Sequence, residues 1–387
     1  MTSCPKLVTG FLAIVALASC KPPAEVGGQA TSRSLTPTWQ VSVGGPSTSL
    51  NVALVTNTTV VVGGARTLVG LEPSTGARKW VIQVPFLLPY AGLSATTESV
   101  AALVSGDGYL VFDPRDGRIL RSLVSPNQSG NPSGTIPQQL ADGRILYATR
   151  GRELLALSPL TGAVDTLVRL PGDSVRNSYI ASIIVYRDTI YSPVASDARR
   201  GAAFRNTVPY RFSLRSRVLD SLQADPSDSS SLSRWMIATQ DLLVSSTDYS
   251  DPSWLGYDRS SGIRRWKVPA SPASLGPFSQ VAIVSDTLFA GANDGFAYVV
   301  LLSSGTLVRK LSIPSGLVAG VAACGSDIII NVTGELTALA RSGSDRITVR
   351  GLTEGQSSFI GDFAVGANIA VIGNGAGGWV AFPCTPP

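Results

Sequence analysis

The chain has 387 residues, of which 44% are hydrophobic, and it contains 39 glycines and 25 prolines. This composition supplies a large core and too many turn-forming residues for a helical protein. The formal charge of +5 is spread along the chain without a dense basic run, so it does not indicate nucleic-acid binding. Histidine is absent, which removes the commonest general base and zinc ligand from any catalytic scheme.

The first predicted segment, residues 1–19, has the pattern of a lipoprotein signal peptide. Lys6 precedes an apolar run from Leu7 to Ala18 that is too short to span a membrane. The sequence Leu-Ala-Ser-Cys at 17–20 ends this run and resembles the bacterial lipobox, which implies cleavage before Cys20 and acylation of its thiol and amine. The alternative is an ordinary signal peptide in which Cys20 is incidental.

Residues 20–38 follow as a predicted flexible tether, because they are rich in Pro, Gly, Ser and Thr and poor in apolar side chains. Lys21 stands where an Asp favours inner-membrane retention in enterobacteria-like lipoproteins. The resemblance therefore implies an outer-membrane anchor facing the periplasm or the cell exterior.

From residue 39 to residue 387 the sequence predicts a single repeated domain. Two kinds of β-hairpin alternate, and the second kind is exemplified by LVGLEPSTGARKW at 68–80, with a glycine in its polar turn. The first kind turns at steps of 41 to 53 residues, near Asn57, Glu98, Gly143, Asp188, Asp241, Asp286, Asp327 and Asn368. Two hairpins per period give four antiparallel strands per repeat, and eight repeats predict an all-β, eight-bladed β-propeller.

The ends of the repeat array predict how the ring closes. The last unit has three strands, near 359–365, 369–373 and 378–382, and the first strand, residues 39–43, has no hairpin partner before it. We expect residues 39–43 to complete the eighth blade as its outer strand, since closure buries apolar faces that would otherwise remain exposed.

The repeats resemble the PQQ-like propeller family, whose motif combines Asp-x-x-Thr-Gly with a following Trp. Glu72-Pro73-Ser74-Thr75-Gly76 with Trp80 is the best copy, and the turn from Asp258 to Gly262 with Trp266 is the next. Two branches of the family carry different implied functions. Quinoprotein dehydrogenases bind pyrroloquinoline quinone and calcium and use a pair of adjacent cysteines, which this sequence lacks. BamB-type lipoproteins of the outer-membrane β-barrel assembly machinery match in length, lipobox and compact blades.

This resemblance implies a non-catalytic scaffold for protein–protein contacts in the cell envelope, with outer-membrane protein assembly as the leading role and no cofactor or metal. Two alternatives stay open, namely a quinone- or calcium-dependent oxidoreductase and a surface module that binds carbohydrate or another ligand. The Asp-Gly pairs at 107–108, 116–117, 142–143 and 294–295 lie where hairpins need turns, and they are interpreted as turns rather than calcium loops.

Two cysteines remain after cleavage and lipidation, and they predict a disulfide in an oxidising compartment. Cys324 lies in the first hairpin turn of blade seven and Cys384 follows the third strand of blade eight. Strand alternation places both at the same face of adjacent blades. The alternative is one buried thiol and one loose thiol near the end of the chain.

The opposite face carries the longer connections, 125–138, 195–209, 224–233 and 245–253, and it is the predicted partner-binding face. Arginine beside aromatic residues is the usual composition of an interface centre and suits acidic partners. The candidate residues are Arg150, Arg152, Arg199, Arg200, Phe204, Arg205, Tyr249 and Trp254. The alternative is a solvated set of loops without a partner.

Overall fold

The computed structural model describes residues 36–43, 53–64, 66–85, 92–105, 108–124, 137–149, 151–172, 178–180, 182–196, 206–222, 232–247, 252–270, 281–292, 294–313, 318–332, 335–340, 346–349, 363–373 and 377–384. Within these ranges every regular element is a β-strand, and the strands form eight separate antiparallel sheets. The prediction of an all-β, eight-bladed propeller is confirmed.

Blades 1 to 4 follow one another along the chain. Blade 1 contains β2 (Ala53–Val55), β3 (Val60–Gly64), β4 (Thr67–Leu71) and β5 (Arg78–Gln83). Blade 2 contains β6 (Gly92–Thr97), β7 (Val100–Ser105), β8 (Gly108–Phe112) and β9 (Ile119–Val124). Blade 3 contains β10 (Gln138–Gln139), β11 (Ile145–Ala148), β12 (Glu153–Leu157) and β13 (Val164–Arg169). Blade 4 contains β14 (Tyr179–Ile180), β15 (Ile184–Tyr186), β16 (Thr189–Ser196), β17 (Asn206–Ser213) and β18 (Leu219–Ser221).

Blades 5 to 8 continue the same order. Blade 5 contains β19 (Leu232–Ala238), β20 (Leu242–Thr247), β21 (Ser253–Asp258) and β22 (Arg264–Pro269). Blade 6 contains β23 (Ala282–Val284), β24 (Thr287–Ala292), β25 (Phe296–Leu301) and β26 (Leu307–Ser312). Blade 7 contains β27 (Val318–Cys324), β28 (Asp327–Val332), β29 (Glu335–Ala340) and β30 (Arg346–Val349). Blade 8 contains β31 (Phe363–Gly366), β32 (Ile369–Gly373), β33 (Gly378–Pro383) and β1 (Trp39–Ser42).

The predicted closure by the N-terminal strand is confirmed. Strand β1 pairs antiparallel with β33, so that Trp39 lies opposite Ala381 and Ser42 lies opposite Gly378. The first strand of blade 8, β31, also contacts the first strand of blade 1, β2, which completes the ring. Closure matters because an open array would leave the apolar faces of blades 1 and 8 in water.

Blade 4 departs from the four-strand pattern. Its first strand is divided into β14 and β15, and both pieces pair with β16. The hydroxyl of Ser192 in β16 donates to the carbonyl of Ser182, which lies in the break, at 2.9 Å. The break therefore keeps a polar contact to the sheet where the ladder is interrupted.

The core lies between the blades, because side chains of one strand alternate between the two faces of its sheet. In blade 1, Val61 and Leu68 pack toward blade 2 with Leu103 and Leu110. The neighbouring Val60 and Val62 pack toward blade 8 with Val371 and other side chains. Each sheet is thus apolar on both faces and depends on both neighbours for burial.

The two faces of the ring differ in their connections. We call the face that carries the turns between first and second strands and between third and fourth strands the turn face. There the backbone N–H of Leu302 donates to the carbonyl of Asp286 at 2.9 Å, and Cys384 N–H donates to Asn368 at 2.7 Å. The other face, which carries the connections between second and third strands and between blades, is called the loop face.

Tryptophan side chains close three of the seams between blades at the turn face. The indole Nε1 of Trp39 donates to the carbonyl of Pro73 in blade 1, at 2.8 Å. Trp80 donates to Pro114 in blade 2 at 2.9 Å, and Trp266 donates to Leu302 in blade 6 at 2.7 Å. This contact explains why the repeat motif couples a turn to a tryptophan.

Two physical constraints favour glycine beside the tryptophan at these seams, namely a positive φ and the close approach of the indole ring. Gly305 has a φ of 68°, and a β-carbon there would overlap the indole of Trp266. A β-carbon at Gly256, which pairs with Trp266 across the strands of blade 5, would overlap the same indole from the other side. The ring of Trp266 therefore fits between two glycines of adjacent blades.

Candidate functional site

Most of the predicted partner-binding face lies outside the described residues. Cys20, Arg150, Arg199, Arg200, Phe204, Arg205 and Tyr249 belong to this group. Of the candidate residues on the loop face, Arg152 and Trp254 are described. The strand bounds place the long connections after β9, β16, β18 and β20 at this face, in agreement with the sequence interpretation.

Arg152 lies at the loop face in the seam between blades 3 and 4. It occupies the turn before β12 with a φ of 65°, and its carbonyl accepts a hydrogen bond from Leu170 at 2.8 Å. Its side chain lies against Gly172 in the connection to blade 4. Burial raises the pKa of Tyr210 in blade 4, and the nearby charge of Arg152 opposes that rise. The guanidinium therefore sits at a seam rather than on an isolated loop.

Trp254 does not belong to an exposed partner-binding surface, and this prediction is wrong. The side chain is 1% exposed and packs against Tyr298 of blade 6, with ring centroids 4.5 Å apart. The reason is that β21 begins at Ser253, so Trp254 already belongs to a strand whose face is covered by the next blade.

A charged cluster that sequence reasoning missed lies beside Trp254 on the loop face. Asp294, whose side chain is 2% exposed, accepts a hydrogen bond from the hydroxyl of Tyr298. The Nζ of Lys310 lies 3.7 Å from Oδ2 of Asp294 and 4.0 Å above the ring centroid of Phe296. The carboxylate is thus occupied by an ammonium and a phenol, and the cluster presents the cation of Lys310 at the loop face.

The Asp294-Gly295 pair forms a turn, as the sequence interpretation stated. Gly295 has a φ of 81°, and the carboxylate of Asp294 accepts from the backbone N–H of Phe296 at 3.1 Å. A single Asp-Gly pair gives no linear sign that its carboxylate also holds a lysine from the following strand. Only the pairing of Tyr298 with Lys310 across β25 and β26 brings these groups together.

The structure joins Cys324 and Cys384 by a disulfide, with their Cα atoms 5.0 Å apart. The bond connects blade 7 to blade 8 at the turn face. Cys384 has the same backbone contact as Leu302, since each donates its N–H to the preceding first-hairpin turn of its own blade. The carbonyl of Leu302 accepts the hydrogen bond from Trp266. Cys384, and with it the disulfide, therefore occupies in blade 8 the position that a tryptophan contacts in blade 6.

Across the ranges that the structure describes, no three Cys, Asp or Glu side chains converge as possible metal ligands. In the same ranges no helix is long and apolar enough to cross a membrane.

Comparisons with known proteins agree with the repeat architecture. Residues 32–197 match the family model described as outer membrane protein assembly factor BamB. BamB from Moraxella catarrhalis is similar in structure, with a TM-score of 0.62, 13% identity, and coverage of 91% of this chain and 98% of that chain. No curated protein matches this chain.

Two further solved structures share the fold. A computationally designed protein, Ika8, matches with a TM-score of 0.66 and 14% identity over 88% of this chain and 98% of that chain. Sqt1 from Saccharomyces cerevisiae matches with a TM-score of 0.67 and 8% identity over 91% of this chain and 100% of that chain. The chain is an eight-bladed β-propeller, and its residues 32–197 are similar to the family described as outer membrane protein assembly factor BamB.

Proposed function

We propose that this protein is a lipid-anchored, non-catalytic scaffold for protein–protein contacts in the cell envelope, acting in outer-membrane β-barrel assembly. The observation that carries the proposal is the match of residues 32–197 to the BamB family model, on an eight-bladed ring that covers 98% of the Moraxella BamB chain. A rigid ring with long connections on one face suits a scaffold, because binding residues on such folds lie mainly on loops.

The chemistry of the described carboxylates supports a non-catalytic role. Asp113 is bound by Arg115 at 2.7 Å, and this guanidinium holds the pKa of Asp113 below its usual range. Asp258 is held by Ser260, Ser261 and Arg265, and its pKa is lowered as well. A general base at neutral pH needs a pKa near 7, so these shifts have the wrong sign for proton abstraction.

The anchor and the partner-binding face remain part of the proposal. We propose acylation at Cys20, a tether through residue 38, and docking of envelope proteins on the loop face around Arg150, Arg152, Arg199, Arg200, Phe204, Arg205 and Tyr249. The position of Arg152 in the seam between blades 3 and 4 supports a basic docking surface at the loop face.

Crosslinking of intact envelopes followed by affinity purification tests this proposal. We expect the wild-type protein to recover subunits of the β-barrel assembly machinery, and we expect the combined change Arg199→Glu, Arg200→Glu and Arg205→Glu to abolish that recovery. The matched control reverses three exposed arginines on the outer strands of blades 1 to 3, Arg78, Arg121 and Arg169, for the same net charge. A Cys20→Ser variant should leave the membrane fraction.

Recovery of the same partners by the loop-face variant would contradict the proposed docking surface. A rise in the unfolding temperature with pyrroloquinoline quinone or calcium, without recovery of assembly subunits, would contradict the scaffold function and favour the oxidoreductase alternative.

A further inference from the structure

Blade 4 carries arginine at two turn positions where the backbone favours glycine. Arg187 has a φ of 56° and Arg217 has a φ of 61°. The position of Arg217 in the turn corresponds to Gly76, Gly117, Gly162, Gly262 and Gly305 of other blades, all of which have positive φ. Ser285 of blade 6 occupies the turn position of Arg187 with a φ of 54°, so a side chain is accommodated there. At the position of Arg217 a side chain is strained relative to the glycines of the other blades, so the fold alone does not account for arginine at that turn.

The two turns lie together at the turn face. The backbone N–H of Leu214 donates to the carbonyl of Asp188 at 2.7 Å, which joins the turn of Arg187 to the turn that contains Arg215 and Arg217. All three arginines are exposed. Blade 4 therefore presents three guanidinium groups from two joined turns.

The neighbouring blade adds a fourth arginine through an aromatic side chain. The guanidinium carbon of Arg259 in blade 5 lies 4.7 Å from the ring centroid of Tyr186, and that of Arg187 lies 5.5 Å from the same ring. The Nη1 of Arg259 also donates to the hydroxyl of Tyr191 in blade 4, at 3.1 Å. Tyr186 thus holds two arginines of adjacent blades beside each other, at the cost of their mutual repulsion.

The acids of these blades do not neutralise this group within the described residues. Asp220 pairs with Arg211 at 3.3 Å, and Asp258 pairs with Arg265. Asp188 lies next to Arg187 in sequence and contacts the hydroxyl of Thr189. In the part of the chain that the structure describes, Arg187, Arg215 and Arg217 form no ion pair within 4.0 Å.

The turn face of blades 2 and 3 provides the contrast. Arg115 lies 2.7 Å from Asp113, and Arg144 lies 2.7 Å from Asp142 and 3.1 Å from Asp165. Arginines in those turns therefore complete local ion pairs, whereas the positive charge on blade 4 is available to another molecule.

We infer that Tyr186, Arg187, Arg215, Arg217 and Arg259, here called the arginine patch, bind an acidic peptide segment of a partner protein. Guanidinium groups pair with carboxylates through two parallel hydrogen bonds, and several of them at fixed spacing suit successive Asp or Glu side chains. The inference concerns the face opposite the loop face, and it does not depend on the proposed role in barrel assembly.

Binding of a fluorescent oligoglutamate peptide to the purified protein tests the inference. We expect binding to weaken with added salt, and we expect the combined change Arg187→Glu, Arg215→Glu and Arg217→Glu to weaken it at least about tenfold. The control with Arg78, Arg121 and Arg169 changed to Glu has the same net charge and should bind like the wild type. Equal weakening in both variants would overturn the inference, because it would reduce the effect to overall charge.

The strained backbone gives a second variant whose result separates binding from structure. Changing Arg187→Gly and Arg217→Gly should leave the unfolding temperature equal or higher, because glycine relieves positive φ, while peptide binding weakens several-fold. A fall in the unfolding temperature with unchanged peptide binding would assign the arginines a structural role and refute the patch.

Vesicles containing phosphatidylglycerol distinguish the other source of negative charge. The inference predicts that peptide binding exceeds vesicle binding and that Tyr186→Leu lowers the peptide affinity at constant charge. If vesicles bind through the same three arginines and the peptide does not, the patch is a lipid-binding surface and the inference is wrong.

Discussion

The seam between blades 5 and 6 and the seam between blades 7 and 8 are closed by different chemistry at equivalent positions. In the first, Trp266 reaches across to the turn of blade 6 and donates to Leu302 at 2.7 Å. In the second, Cys384 stands at the position of Leu302 and is bonded to Cys324.

The difference follows from how blade 8 is assembled. In blade 6 a tight turn from Leu302 to Gly305 joins the third and fourth strands, and that turn receives the indole. In blade 8 the fourth strand is β1, which comes from the other end of the ring-forming sequence, so no turn connects β33 to it. Blade 8 has no turn of the kind that contacts Trp266 in blade 6, and the disulfide between Cys324 and Cys384 links blades 7 and 8 at that position instead.

The largest expected effect comes from removing the covalent seam. The bond links residues separated by 60 positions, and the chain-entropy treatment gives about 4 kcal/mol for a loop of this size. We expect Cys324→Ser with Cys384→Ser to lower the free energy of unfolding in urea by about this amount.

Reducing agent provides the control for this prediction. It should destabilise the wild type to the level of the double variant and leave the variant unchanged. Two free thiols in the denatured, unreduced wild type would contradict the bond in the native protein.

The second-largest loss of stability is expected from changes to Trp266 at the seam between blades 5 and 6. Trp266→Ala removes a buried ring and its hydrogen bond, and we expect a loss of about 3 kcal/mol in the free energy of unfolding. Trp266→Phe keeps an aromatic ring without the N–H donor and should lose about 1.5 kcal/mol. If the alanine and phenylalanine variants unfold at the same urea concentration, packing of the indole between the two glycines contributes nothing.

The smallest effect concerns the seam between blades 4 and 5, which is closed by neither a tryptophan nor a disulfide. Here Arg211 donates to the carbonyl of Ser260 at 2.7 Å, and Asp258 organises that turn. Because the pKa of Asp258 is lower in the folded state, its contribution is complete at neutral pH and is lost as the pH falls below about 4.

We therefore expect Asp258→Asn to lower the free energy of unfolding by about 1 kcal/mol at pH 7. The difference from the wild type should shrink progressively as the pH falls below about 4, the unfolded-state pKa, toward the lower pKa of the folded state. Urea unfolding at several pH values checks this prediction, and a constant difference across the acid range would contradict it.

Sequence periodicity was sufficient to predict the ring, the number of blades and the role of β1, since alternation and turn spacing are local properties that repeat. It did not predict the divided first strand of blade 4. It also did not indicate that Tyr109, which donates to the carbonyl of Gly162 at 3.0 Å, joins blades 2 and 3 where the outer-strand tryptophan is missing. Such a replacement comes from a different strand, and a motif aligned by position cannot detect it.

The sites were less predictable than the fold. The sequence assigns Trp254 to a surface because the connection before it is long, but its burial by the next blade depends on where β21 begins. The arginine patch joins Tyr186 to Arg215 and Arg259 from three segments of sequence, and only the stacking of blades 4 and 5 brings them together. A cluster of charged residues that forms only when two blades pack together leaves no recognisable pattern in the amino-acid sequence.

The pairing of Trp39 with Ala381 has a consequence for the order of events during synthesis. Seven blades consist of neighbouring segments and can form one after another as the polypeptide emerges. Strand β1 is synthesised before all of them, but its hydrogen-bonding partner β33 is synthesised last. Strand β1 therefore stays unpaired until β33 is available. The eighth blade can therefore be completed only after all the other repeats have been synthesised.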